Sequence, residues 1–350
     1  MATIQQSLPQ LNGAGPARTP SVIMGRQDYI SVLARLIAME LYKIRRRFMS
    51  KALLGFGLLF MVGIFFLFGL FAWSDVNRAA SSFQPPICAP NIQSEFCAKQ
   101  PLTQAQLEQT KHNRVVSDSN NLTLPGSLDN VGFVLLNFLG ILAMVLMGTI
   151  VGGEYSLGTV RLMFTRGPTR LQFLFAKIGA IIVCIVIGVV VLAVVGLLAG
   201  LLFNTVTGIA PTYSFFTSNW FGHMVLYLLF MMLTWFVYSI VALTLGVIGR
   251  ATVVGIVGAI VWFFVEPILT RIIYLVTQSM TGQVHDFVNA IPDYFIYNNV
   301  GNLIQNQKHI LFGSDPGTLS DAHAWTVLAV YLVVFLVVSC IVTVWRDVTN

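Results

Sequence analysis

Six apolar stretches, at about 52–73, 131–151, 172–203, 221–248, 251–275 and 325–345, dominate the sequence. Each reaches or exceeds the ~20 residues that a helix needs, at ~1.5 Å per residue, to cross a ~30 Å hydrocarbon core. In such a medium every backbone amide must be satisfied within the segment, so these stretches can only be helices or strands of a closed barrel. Their length and lack of period-2 alternation select helices. Composition agrees: 56% of the residues are hydrophobic and only 10% charged, against about 25% charged in a soluble domain. The expected fold is an all-α membrane protein with six transmembrane helices.

Charge distribution sets the expected orientation. Fourteen of the 20 Lys and Arg fall on one side: eight before the first span, four between Arg161 and Lys177, then Arg250 and Arg346. That bias follows the positive-inside rule and places both termini in the cytoplasm, with 74–130 and 280–322 outside. The net charge of +6 is thereby explained by topology and does not call for nucleic acid. Residues 1–27 read as a disordered cytoplasmic tail without an apolar run, so the first span is expected to act as the insertion signal. In 28–51, Tyr29, Val32, Leu33, Leu36, Ile37 and Leu41 recur at helical spacing opposite Arg35, Glu40 and Lys43. This is an amphipathic interfacial helix whose final Arg45, Arg46, Arg47 and Lys51 attract anionic headgroups, at ~1 kcal/mol each.

Cys88 and Cys97 share the first polar loop. A bridge between them would stabilise an external loop by roughly 3 kcal/mol on the chain-entropy estimate; two free thiols are the alternative. Cys184 and Cys340 lie in apolar runs, as packing residues do. Glycines 179, 188, 196 and 200 in the third span suit close helix contacts. In the fifth stretch Glu266-Pro267 is followed one turn later by Arg271. Proline removes a backbone donor, and an intramembrane carboxylate is costly unless paired or wet. The helix is therefore expected to break there, with Glu266 either lining a translocation path or forming an internal pair with Arg271. A re-entrant or external helical segment is expected to follow.

No G-x-x-x-x-G-K-[ST] loop, H-E-x-x-H or G-x-S-x-G motif occurs, so no nucleotide, metal or serine-hydrolase site is expected on this chain and no enzymatic activity of its own. Between the second and third spans lies a short basic segment, 152–170, reading GGEYSLGTVRLMFTRGPTR. Tyr155, Leu157, Leu162, Met163 and Phe164 supply one apolar side, Glu154, Arg161, Arg166 and Arg170 the polar side. Gly158 and Gly167-Pro168 bound a helix of one or two turns on a membrane surface. A solvated loop whose arginines only fix topology is the other reading.

The string E-Y-S-x-G-T-x-R-x-x-x-x-R-x-P-x-R resembles the first intracellular loop of ABC-2 type permeases, the membrane subunits of ATP-driven exporters. Glu154, Gly158, Thr159, Pro168 and Arg170 carry the match, and the layout is similar over roughly 29–347. The resemblance implies a cytoplasmic coupling helix that docks in a groove of a separate ATPase subunit. ATP and magnesium would sit on that subunit, and a second permease would complete a homodimer or heterodimer. Glu154, Tyr155, Leu157, Gly158, Thr159, Arg161, Arg166, Pro168 and Arg170 would form the coupling surface, with Glu154 presenting its carboxylate to the ATPase. The expected activity is outward movement of a hydrophobic or amphipathic compound across a bacterial plasma membrane. An ion-coupled secondary transporter would need more intramembrane acids than Glu266, and a membrane scaffold or sensor would use its outer loops.

Overall fold

A computed structural model describes residues 29–82, 103–106, 108–109, 124–134, 136–137, 140–156, 158, 169–207 and 215–345. Among these residues there is no strand. Helices α1 (Tyr29–Arg46) and α2 (Phe48–Ser82) are followed by α3 (Gly126–Val134), α4 (Gly140–Ser156), α5 (Arg170–Thr207), α6 (Ser218–Gly249) and α7 (Thr252–Thr277). After α7 come α8 (Gln283–Asn289), a 3₁₀ turn (Ile291–Tyr294), α9 (Ile296–Phe312) and α10 (Asp321–Trp345). Cys88 and Cys97 lie outside the described residues, as do Leu157, Thr159, Arg161, Arg166 and Pro168.

Among the described residues, five helices are long and apolar enough to cross a membrane, over Ser50–Phe71, Arg170–Leu202, Ser218–Gly249, Thr252–Thr277 and Asp321–Trp345. The expected second span is described only in part. Its described parts are α3 and the shorter apolar α4, whose 17 residues reach only ~25 Å. The expected break at Glu266-Pro267 is also absent: Pro267 sits inside a continuous α7. Proline in a helix interior forfeits one backbone bond, and inside a helical bundle neighbouring groups can absorb that loss. Region 280–322, polar in sequence, is largely helical in α8, the 3₁₀ turn and α9.

Helix α6 is the axis of the bundle, packed by α4, α5, α7, α9 and α10. Tyr227, Met231, Trp235, Tyr238, Val241 and Val247 are buried along its length. Polar pairing ties it to α10, where Thr244 Oγ1 lies 2.9 Å from Ser339 Oγ. Helix α4 meets α7 without intervening side chains: a Cβ on Gly152 would come within 2.5 Å of Thr252 Cα. Gly255 of α7 lies as close to α6, where a Cβ would be 3.0 Å from Ala242 O and 3.1 Å from Gly246 Cα, and it also faces α4, 3.4 Å from Gly148 Cα. Lipid offers no hydrophobic force to hold helices together, so this backbone proximity replaces it with dispersion contact. Helix α1 packs on α5, with Ile37 against Gly179, and α3 places Val131 against Gly196.

Candidate functional site

One end of the bundle collects the C-terminal turns of α1, α4, α6 and α10 and the first turns of α5 and α7. Helix α6 turns into α7 through Arg250 in the left-handed region (φ 50°). Just beyond α4, Gly158 has a φ of 66° and its amide donates to Tyr155 O at 3.1 Å; glycine reaches that left-handed conformation at little steric cost.

Four ionisable side chains meet at this end. Glu40 and Lys43 come from α1, Glu154 from the last turn of α4, and Lys177 from the second turn of α5. Lys177 is fully buried; its Nζ donates to Glu154 Oε2 at 2.5 Å and to the carbonyl of Ile150 at 3.1 Å. Its ammonium lies 3.7 Å from Glu40 Oε2 and 4.5 Å from the centre of the Phe173 ring. Lys43 Nζ donates to Glu40 Oε1 at 2.8 Å and to Glu154 Oε1 at 3.0 Å. Two carboxylates and two ammoniums thus alternate, so neither sign accumulates. Around them, Arg47 donates to Thr149 O at 3.3 Å.

Burial pushes the Glu154 carboxyl up, but Lys177 and Lys43 pull it down further, leaving it below its ordinary 4.5. For Lys43 burial works downward, and Glu40 and Glu154 outweigh it, holding the amine above 10.5. The charged forms of both are therefore the native ones near neutrality.

Glu154 does not present its carboxylate outward, as the coupling-loop resemblance implies. It is 5% exposed and bound by two lysines of the same chain. Tyr155 is partly buried beside it. Arg170 opens α5 and donates through Nη1 to Val344 O at 2.8 Å and Thr343 O at 3.4 Å, neutralising orphan carbonyls at the end of α10. Lys177 is the residue of this site that motif spacing does not reveal. Its signal is nonetheless in the sequence: between Arg170 and Arg250 it is the sole Asp, Glu, Lys or Arg, and a lone charge in an apolar run implies a partner.

Glu266 is a further buried carboxylate, away from that cluster, and Arg271 is not its partner. It accepts from Trp262 Nε1 at 2.8 Å, Tyr238 Oη at 3.4 Å, and the backbone amides of Ile296 and Tyr297 at 3.3 and 2.8 Å. Those amides open α9, whose N-cap Phe295 makes no side-chain cap bond. Glu266 thus caps α9 from 30 residues away, using the partial positive charge of a helix N-terminus. Beside it a cavity of about 320 Å³ is lined by Thr234, Tyr238, Tyr297, Asn298 and Asn302, among others. At this other end, Lys308 of α9 pairs with Asp129 of α3 at 2.9 Å, and His223 Nδ1 lies 2.9 Å from Gln307 Oε1.

These features define a helical, membrane-embedded protein whose described helices meet in an ion-paired cluster at one end and a carboxylate-capped junction at the other. Residues 109–349 match the model of the family described as "Protein of unknown function (DUF2705)", and the chain belongs to that family. No curated protein matches the sequence.

Proposed function

We propose that the chain is the membrane-spanning permease subunit of an ATP-driven ABC-2 type exporter, moving a hydrophobic or amphipathic compound outward with energy from a separate ATPase. The observation that supports this reading is the anchoring of 157–169 at both ends. On one side Glu154 is ion-paired to Lys43 of α1 and Lys177 of α5; on the other Arg170 is hydrogen-bonded to the end of α10. A push on the segment therefore loads α1, α4, α5 and α10 together, which is what coupling to a motor requires.

Under this reading Glu154 roots the coupling segment, while Leu157, Thr159, Arg161, Arg166 and Pro168 meet the ATPase. ATP and magnesium bind to that partner. The chain works with a second permease, as a homodimer or heterodimer, in a bacterial plasma membrane with both termini cytoplasmic. The test is purification of the tagged full-length chain from its native membrane, together with ATP-dependent dye uptake into inside-out vesicles. Co-purification of an ATPase and ATP-dependent dye movement, both weakened by Leu157→Ala with Arg161→Ala, are expected. Neither ATPase nor ATP dependence in the intact complex would overturn the reading.

A further inference from the structure

A cavity of about 470 Å³ opens between α1, α2, α4 and α5, with Trp235 of α6 at its back. Ile44, Leu146, Ile181 and Trp235 form its walls, and Arg45 and Lys51, both exposed, lie on the same cavity. The volume falls within the ~300–1,000 Å³ of ordinary ligand sites. Its walls offer water few partners, so an apolar occupant is favoured over a solvent cluster.

Position and charge identify that occupant. The candidate span of α2 starts at Ser50, so Arg45 and Lys51 bracket the level at which a membrane-crossing helix begins. The apolar walls continue from there alongside the span. Neighbouring bases are used internally: Lys43 by Glu40 and Glu154, Arg47 by Thr149 O, and Arg46 over the Tyr42 ring at 5.2 Å. Among the described residues, neither Arg45 nor Lys51 has a carboxylate partner. Two uncompensated cations at the mouth of an apolar cleft, at headgroup level, match a phosphate with an acyl chain attached.

We propose that this cleft is a binding site for an anionic phospholipid of the surrounding bilayer. One acyl chain lies against Ile44, Leu146, Ile181 and Trp235, and the headgroup phosphate accepts from the Arg45 guanidinium and the Lys51 ammonium. The bound lipid bridges α1 to α2, α4 and α5. The site requires neither an ATPase nor a transported compound, so it stands or falls separately from the exporter reading.

Full-length protein in detergent, given equal amounts of dioleoyl phosphatidylglycerol and dioleoyl phosphatidylcholine, tests the site by native mass spectrometry. The wild-type protein should retain phosphatidylglycerol over phosphatidylcholine by on the order of tenfold. The double variant Arg45→Ala/Lys51→Ala should lose that preference. Equal retention of the two lipids by the wild type, or a preference that survives the double variant, overturns the proposal. Cys184 also lines the cavity and gives a readout on the unmodified chain. Phosphatidylglycerol should slow its alkylation by a maleimide several-fold. An unchanged rate, or equal slowing by inorganic phosphate alone, likewise overturns it.

Discussion

Lys177 Nζ lies 2.5 Å from Glu154 Oε2, with Lys177 fully buried and Glu154 nearly so. Desolvating two charges is expensive, and their attraction repays it only when further hydrogen bonds complete the site, as Ile150 O, Lys43 and Glu40 do here. Removing either partner leaves an uncompensated buried charge, a loss of roughly 3–5 kcal/mol. Glu154→Ala and Lys177→Ala should each lower the thermal midpoint of the purified protein. The double variant Glu154→Ala/Lys177→Ala should lose less than the sum. Additive losses in that cycle would mean that the two groups are not energetically coupled.

The same cluster gives a pH window. Glu154 is held below 4.5 in the native state, so its contribution is present above 4.5 and lost as pH falls through its native value. Lys43 is held above 10.5, so its contribution is present below 10.5 and lost as pH rises through its native value. The contribution of these two groups should be constant between those limits. In Glu154→Gln the acid-side decline in thermal midpoint should be shallower than in the wild type; an identical acid limb would remove Glu154 from the account.

Glu266 should matter through α9 and not through Arg271. Glu266→Ala strips the acceptor from two helix-opening amides, a loss of about 1–3 kcal/mol, whereas Arg271→Ala should stay within about 0.5 kcal/mol. Hydrogen exchange should accelerate at Ile296 and Tyr297 in the first variant and remain unchanged in the second.

Glycines separate by what faces them. Gly152→Ala places a methyl on the backbone of Thr252 and should cost about 1–3 kcal/mol as α4 is forced off α7. At Gly63 in α2 an added methyl would find nothing within 4 Å, so Gly63→Ala should be neutral or stabilising by about 0.5–1 kcal/mol. Thermal unfolding of the two variants side by side checks this, and equal losses would refute the close crossing.

Local pattern was enough to fix that the chain is helical and membrane-embedded, where the long apolar helices fall, and that α6 turns sharply into α7 at Gly249-Arg250. These features depend on hydrophobic length and helix punctuation, which are properties of neighbouring residues. Pro267 misleads a local reading of α7 because a proline's own preference does not register what a surrounding bundle tolerates. The partners of Glu154 and Glu266 were decided only in three dimensions. A carboxylate announces by itself that it must be neutralised, but the groups that do so, Lys43 and Lys177 in one case and the first amides of α9 in the other, lie between 23 and 111 residues away. Their choice was settled by which helix ends the packing of α1, α4, α5, α7 and α9 brings together.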